Sequence, residues 1–119
     1  MSIDPNDQMF YCGTTTGDIL KINFETKLLA AHGPKKTRFS LGVEKVAYMK
    51  GKLLIGSGNG ELAIMDAQGS LEKRITSCQL HGSIRSLSIR GNGHQIYAGT
   101  SENNVYRINI GKSLKNSLL

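Results

Sequence analysis

The residues able to do chemistry are a Gly-rich run, Gly56-Ser57-Gly58-Asn59-Gly60, three histidines, two cysteines and fifteen basic side chains. A Gly-rich loop cradles phosphate when it opens a helix, because the helix N-terminus turns free N–H groups and a positive dipole end toward the anion. Here the run leads into Glu61-Leu62-Ala63-Ile64-Met65, a strand pattern, so it reads as a hairpin turn. Gly111-Lys112-Ser113 ends like a P-loop, but the first Gly of that motif would fall at Tyr106 and the match fails. His32, His81, His94, Cys12 and Cys78 show neither the i, i+4 nor the C-x-x-C spacing of metal ligands, so no metal or other cofactor is expected. Cys12 is expected to be a buried apolar thiol and Cys78 a surface one. Nucleophilic catalysis needs a base and an orienting group beside the nucleophile. Asp18, Glu61 and Glu102 fall in or near turn patterns as solvated acids, and no motif with catalytic mechanics is present, so the chain reads as non-enzymatic.

The basic residues are more informative. Fifteen Lys and Arg against nine Asp and Glu give a net charge of +6, which favours an acidic partner. Lys35, Lys36 and Arg38 cluster in the long connection between His32 and Val43, while Lys50 and Lys52 bracket Gly51. These five are the candidate partner-binding residues, since loops on a rigid scaffold carry binding. The bland alternative is scattered solvated charge. An RNA-binding surface would interleave aromatics with Lys and Arg for base stacking. The seven aromatics fall mostly in apolar strand patterns, which argues against nucleic acid. No stretch approaches the ~20 consecutive apolar residues of a membrane-spanning helix. Two cysteines 66 residues apart make no disulfide scaffold, and residues 1–8 have no apolar signal core, so a reducing intracellular compartment is expected.

The elements that must position these residues follow from an internal repeat. Phe10–Asn23, Leu53–Asp66 and Ile96–Asn109 align without gaps. Gly13, Gly56 and Gly99 recur at a spacing of 43, as do Ile19, Leu62, Val105 and Ile22, Met65, Ile108. Asn23, Asp66 and Asn109 close the three segments. Each segment reads as a β-hairpin whose turn holds Gly17, Gly60 or Asn103, residue types that tolerate a left-handed backbone. An upstream strand aligns Val43, Val46 and Tyr48 with Ile84, Leu87 and Ile89, with two extra residues at Gly91-Asn92-Gly93. Outer strands are expected at Lys27–Ala31, Leu71–Gln79 and Ser113–Leu118. Four antiparallel strands in about 43 residues make one propeller blade. The strand before each repeated Gly is apolar at every step, which requires cover on both faces.

The expected fold is therefore all-β: a partial propeller of about three four-stranded antiparallel blades with the ring not closed, spanning residues 1–119. The first blade is expected over 9–31, starting at its second strand, the second over 43–79 and the third over 83–118. About 2.8 blades fall short of the roughly 4–8 that close a ring, so the sequence reads as a piece of a longer protein or of an assembly. Phe10, Ile19 and Ile22 at one end, and Ile96, Val105 and Ile108 at the other, are expected to form the uncovered layers.

The 43-residue period, the His-Gly pairs His32-Gly33 and His81-Gly82, the Gly-Ser/Thr turns and Asp66 resemble WD-repeat β-propellers. No Trp is present, and the His-Gly order is inverted relative to that family, so its buried Asp–His–Ser–Trp network is not carried over. Tyr11–Asn23, Thr26–Leu29, Phe39–Val43, Leu53–Gly58 and Arg90–Thr100 resemble more specifically the cilia- and flagella-associated WD-repeat proteins of axonemal doublet microtubules, over roughly residues 8–112. That resemblance implies a structural, non-enzymatic microtubule inner protein, with tubulin and axonemal proteins as partners, located in the axoneme of the cilium or flagellum and in the cytoplasm. The alternative functions are a general WD-repeat scaffold in a cytosolic complex and, less favoured, a basic RNA-binding propeller.

Overall fold

The computed structural model describes residues 2–4, 9–90, 94–110 and 114–119. The turn Gly91-Asn92-Gly93 and the Gly111-Lys112-Ser113 segment lie outside the described residues. Among the described residues twelve strands form three antiparallel four-stranded sheets. The first sheet holds β1 (Ser2–Asp4), β2 (Met9–Gly13), β3 (Ile19–Asn23) and β4 (Leu29–Gly33). The second holds β5 (Val43–Met49), β6 (Lys52–Ser57), β7 (Glu61–Asp66) and β8 (Arg74–Gln79). The third holds β9 (Ile84–Arg90), β10 (Gln95–Thr100), β11 (Val105–Ile110) and β12 (Leu114–Leu118). In every sheet the strands lie side by side in chain order, and consecutive strands pair antiparallel. The sheets are the three blades of a partial propeller.

The first blade differs from its expected extent. Ser2–Asp4 pairs with Met9–Tyr11 and supplies a fourth strand, so the sheet runs from Ser2 to Gly33 rather than from residue 9 to 31. Its outer strand also starts later than Lys27. The Asn23 side chain accepts from the Glu25 and Thr26 N–H groups, and Lys27 turns at φ 59° with its N–H on the Asn23 carbonyl. That side-chain-to-backbone turn holds the chain out of the sheet until Leu29. In the second blade Leu71 turns at φ 61° and buries its side chain, so the outer strand begins at Arg74 rather than Leu71. The third blade's outer strand is described from Leu114.

The hairpin turns place Gly17 at φ 91°, Gly60 at φ 93° and Asn103 at φ 62°, in the left-handed region. The aligned glycines Gly13 and Gly56 have a different reason. A Cβ on Gly13 would collide with the Val43 side chain, and one on Gly56 would lie 2.7 Å from Ile84 Cγ2. Val43 and Ile84 each open the next blade, so the repeated Gly is where one blade's inner strand seats on the preceding hairpin.

Two apolar cores separate the three sheets, and strand alternation decides which residue enters which. Leu53, Ile55, Ala63 and Met65 of the middle blade point back toward the first blade and meet Tyr11, Ile19 and Phe39. Leu54, Leu62 and Ile64 point forward and meet Ile84, Ile96, Ala98, Tyr106 and Ile108. Leu53, Leu54 and Ile55 are all at 0% exposure, so β6 is covered on both faces.

Each blade thus has a backward and a forward face, and the bare layers differ from those expected. Ile19, Ile96 and Ile108 are fully buried because alternation turns them inward onto the middle blade. The first blade's open backward face carries Phe10, Cys12, Leu20 and Ile22, with Phe10 edge-on to the exposed Phe24 ring. Cys12 is half-buried there rather than enclosed. Cys78 packs against the second core instead of lying on the surface, and burial pushes its thiol pKa up. The third blade's open forward face carries Tyr97, Val105 and Arg107.

Candidate partner-binding surface

The connection from β4 to β5 carries Lys35, Lys36 and Arg38, all three exposed. It bridges the outer strand of the first blade and the inner strand of the second. Its middle is pinned by Phe39, a buried ring in the first core whose N–H donates to the Gly17 carbonyl at 2.8 Å. Its flank is held by the second blade. The Lys35 N–H donates to Glu72 Oε1 at 2.8 Å, and Arg74 Nη1 donates to the Thr37 carbonyl at 2.9 Å. The Arg74 guanidinium lies 4.0 Å from the Phe39 ring centroid and forms an ion pair with Glu61. A half-buried Arg with a carboxylate, a carbonyl and an aromatic face uses all three of its recognition modes at once.

The same end of the molecule carries the β2–β3 turn, where the Thr14 and Thr16 hydroxyls donate to the Asp18 carboxylate. The Thr14 bond holds Asp18 below its ordinary pKa, against partial burial, with Thr16, the Asp18 backbone N–H and the Arg38 charge acting in the same direction as Thr14. Arg38 is thereby tied electrostatically to the turn beside its own loop. Leu41 follows at φ 61° with 79% of its surface exposed. This exposed Leu next to three cations was not singled out from sequence, because it falls at no position of the 43-residue repeat. Arg74 was missed as an anchor because its partners lie 13 and 37 residues away.

Lys50 and Lys52 do not join this cluster. They flank Gly51 (φ 81°) in the β5–β6 turn, at the other end of the seven-residue β5, roughly 20 Å along an extended strand. The five candidate cations therefore form two groups on opposite rims. Gly13, Gly17, Gly56 and Gly60 serve the turns and blade contacts described above. Gly99 stands in the same hairpin position, with the Ser86 hydroxyl where a Cβ would point. Asp66 closes β7, where its carboxylate accepts from the Gln68 N–H at 3.0 Å. Among the described residues no three His, Cys, Asp or Glu side chains converge on a common point. A recess lined by Asp66 and residues 69–75 has a volume of about 240 Å³, below the roughly 300 Å³ at which small-molecule pockets begin. A pinned loop with three exposed cations and an exposed Leu is suited to an acidic macromolecular surface.

No family profile matches the chain. It is similar to cilia- and flagella-associated protein 52 of Sus scrofa, 50% identical over 111 residues, which cover 92% of this chain and 18% of that protein. The human protein of the same name is 48% identical over 111 residues, with the same coverage. The Chlamydomonas reinhardtii protein is 32% identical over 109 residues, covering 88% of this chain and 17% of its own length. The chain thus spans less than a fifth of the relatives it matches. Among solved structures, the β-propeller domain of Cps50 (Swd1) from Myceliophteria thermophila superposes with a TM-score of 0.81 at 15% identity, covering 98% of this chain and 36% of that one. BamB from Moraxella catarrhalis gives a TM-score of 0.67 at 18% identity, covering 87% and 29% of the two chains. These two likenesses bear on fold alone.

Proposed function

We propose that this chain, a WD-type β-propeller segment closely resembling part of a cilia- and flagella-associated protein, is a non-enzymatic structural and interaction module of the ciliary or flagellar axoneme. The observation that carries the reading is the 50% identity over 92% of the chain to a protein of that name. The finer proposal is a microtubule inner protein that stabilises the doublet, with the Lys35–Arg38 connection meeting an acidic protein surface and tubulin as the first candidate. Its support is chemical. A net charge of +6 draws the chain to acidic partners, and the loop is held by Phe39 and Arg74, so little ordering entropy is lost on contact. The only aromatic within the loop, Phe39, is buried, which leaves no ring there for stacking a nucleic-acid base.

The test is co-sedimentation with microtubules of the chain carrying Lys35→Ser, Lys36→Ser and Arg38→Ser, beside a Lys50→Ser, Lys52→Ser variant. Exposed ion pairs contribute ~0.2–1 kcal/mol each, so the triple substitution should weaken binding by roughly 3- to 150-fold at low salt. The variant on the opposite rim should bind as the parent does. Unchanged binding of the triple variant at low salt would remove this loop from the interface.

A further inference from the structure

Five non-Gly residues among the described ones stand at positive φ: Lys27, Leu41, Lys50, Leu71 and Asn103. Left-handed backbone is unfavourable for most residues that carry a Cβ, so the surrounding structure must hold each in place. Asn103 is a type that tolerates the conformation, and Lys27 and Lys50 keep a charged side chain in water. Leu71, at φ 61°, buries its side chain in the first core. Leu41 stands at the same φ of 61°, yet leaves 79% of its surface in water. It is an apolar side chain on an unfavourable backbone with no burial to offset it.

The backbone is held there from both sides. Ser40 and Leu41 are the middle residues of the turn over residues 39–42, closed by the Gly42 N–H on the Phe39 carbonyl at 3.3 Å. Gly or Asn is the favoured occupant of a middle position at positive φ. Phe39 is buried ahead of the turn. Behind it, the Val43 N–H donates to the Thr14 carbonyl at 2.9 Å, and the Gly58 N–H donates to the Gly42 carbonyl at 2.9 Å. Gly58 packs so closely that a Cβ there would lie 2.2 Å from the Leu41 carbonyl oxygen. The neighbouring turns of the first and second blades are therefore both in place around Leu41, and its side chain still faces water. Single exposed apolar residues are ordinary on protein surfaces. Leu41 is distinguished by being locked between two blades in a conformation its type disfavours, within six residues of Lys35, Lys36 and Arg38.

We propose that Leu41 is the apolar anchor of the basic connection, seating in a hydrophobic pocket rimmed by carboxylates on an acidic protein. The inference rests on the reading of that connection as the contact with an acidic protein, and it specifies the partner's surface. Charge complementarity sets the rim, because Lys35, Lys36 and Arg38 are exposed near Leu41 on a chain of net charge +6. The fixed backbone favours a shaped pocket over a lipid surface, which needs no fixed turn and binds through a larger apolar face. Because the turn is held before contact, little backbone freedom is lost on seating. The contact then has two parts: the cations set its salt dependence, and Leu41 supplies affinity that salt does not screen.

The experiment is co-sedimentation with microtubules at low and high salt, with urea denaturation alongside, of the 119-residue chain and four variants. These are Leu41→Gly, Leu41→Asn, Leu41→Met and the triple Lys35→Ser, Lys36→Ser, Arg38→Ser. Leu41→Gly removes the side chain and suits the backbone, so its urea midpoint should rise. Its binding should fall roughly 10- to 100-fold, as expected for losing one buried Leu side chain. Leu41→Asn, which also tolerates positive φ, should lose binding equally, and Leu41→Met, which keeps an apolar anchor, should retain it. The Leu41 variants should keep the parent's salt dependence, which the triple variant should lose. Leu41→Gly binding as the parent does, with the triple variant weakened, would overturn the anchor and leave the charge contact standing. A parent that does not sediment would overturn the tubulin reading and this inference together. Lost binding with a lowered midpoint in both Leu41→Gly and Leu41→Asn would make the side chain structural and overturn the proposal. Flotation on phosphatidylserine vesicles that Leu41→Gly abolishes, with microtubule binding intact, would also overturn it by placing the anchor in a lipid surface.

Discussion

Replacing Gly56 by Ala tests the claim that the repeated glycine exists to seat the next blade. Gly56 lies outside the left-handed region, so the substitution carries no turn penalty. Its whole cost should come from the added methyl, which would stand 2.7 Å from Ile84 Cγ2, 3.1 Å from Ile84 Cβ and 3.3 Å from Ile84 Cδ1. Carbon atoms rest about 3.5–4.0 Å apart, so the Ile84 side chain must retreat by roughly 1 Å. It cannot do so freely, because Ile84 is fully buried in the second core against Leu54, Leu62 and Ile96. Overpacking of this kind costs about 1–3 kcal/mol. Urea denaturation should show it as a fall in midpoint of roughly 0.3–3 M with an unchanged slope, taking a slope of about 1–3 kcal/mol/M. Ile84→Ala alone should cost about 2–5 kcal/mol through the cavity it leaves. In the double variant the new methyl occupies part of that cavity, so the two costs should sum to more than the measured loss by about 1 kcal/mol. Additive costs, or a Gly56→Ala loss below about 0.5 kcal/mol, would refute the steric account.

Two further outcomes follow from the loop end of the molecule. Thr14→Val removes the main donor to the Asp18 carboxylate, so the Asp18 pKa, followed by NMR titration, should rise toward the ordinary carboxylate value. Asp18 is depressed in the folded chain, so its contribution is present above the unfolded carboxylate pKa and is lost as pH falls through the folded one; the variant should be less stable than the parent at neutral pH, and the two should converge at acid pH. Arg74→Lys keeps the charge but loses the fork that reaches Glu61, Thr37 and the Phe39 face together, so limited trypsin digestion should cut faster after Lys35, Lys36 and Arg38, followed by mass spectrometry of the nicked products.

The hairpins were legible in the sequence because Gly13, Gly56 and Gly99 and their apolar neighbours recur at a fixed spacing, and that spacing reflects a real packing unit. β1 was not legible. Ser2-Ile3-Asp4 is short and mostly polar, and its membership of the sheet rests on backbone pairing with Met9–Tyr11, which composition does not record. The assignment of Ile19, Ile96 and Ile108 to bare layers failed for a related reason. A strand apolar at every step, such as Leu53-Leu54-Ile55, carries no alternation from which to read its faces, so the repeat could be aligned without knowing which way any member pointed. The basic connection was visible as composition, but its rigidity was not. That depends on Arg74, whose sequence neighbourhood shows only a charged outer strand. The separation of Lys50 and Lys52 from Lys35–Arg38 likewise needs the direction of β5, which only the assembled sheet supplies.

The two-sided burial of β6 has a consequence for register. A strand with one wet face resists slipping by one residue, because the slip would turn every apolar side chain outward. Leu53-Leu54-Ile55 offers no such resistance, since either parity presents apolar groups to both cores. The alignment of the middle sheet must be locked by features that tolerate only one placement. Three bracket the strand: Gly51 at φ 81° entering it, Gly60 at φ 93° in the turn leaving it, and between them the Cβ-free position at Gly56 into which Ile84 fits. Glycine, which contributes no apolar surface at all, is what tells the most hydrophobic strand of the molecule where to stop.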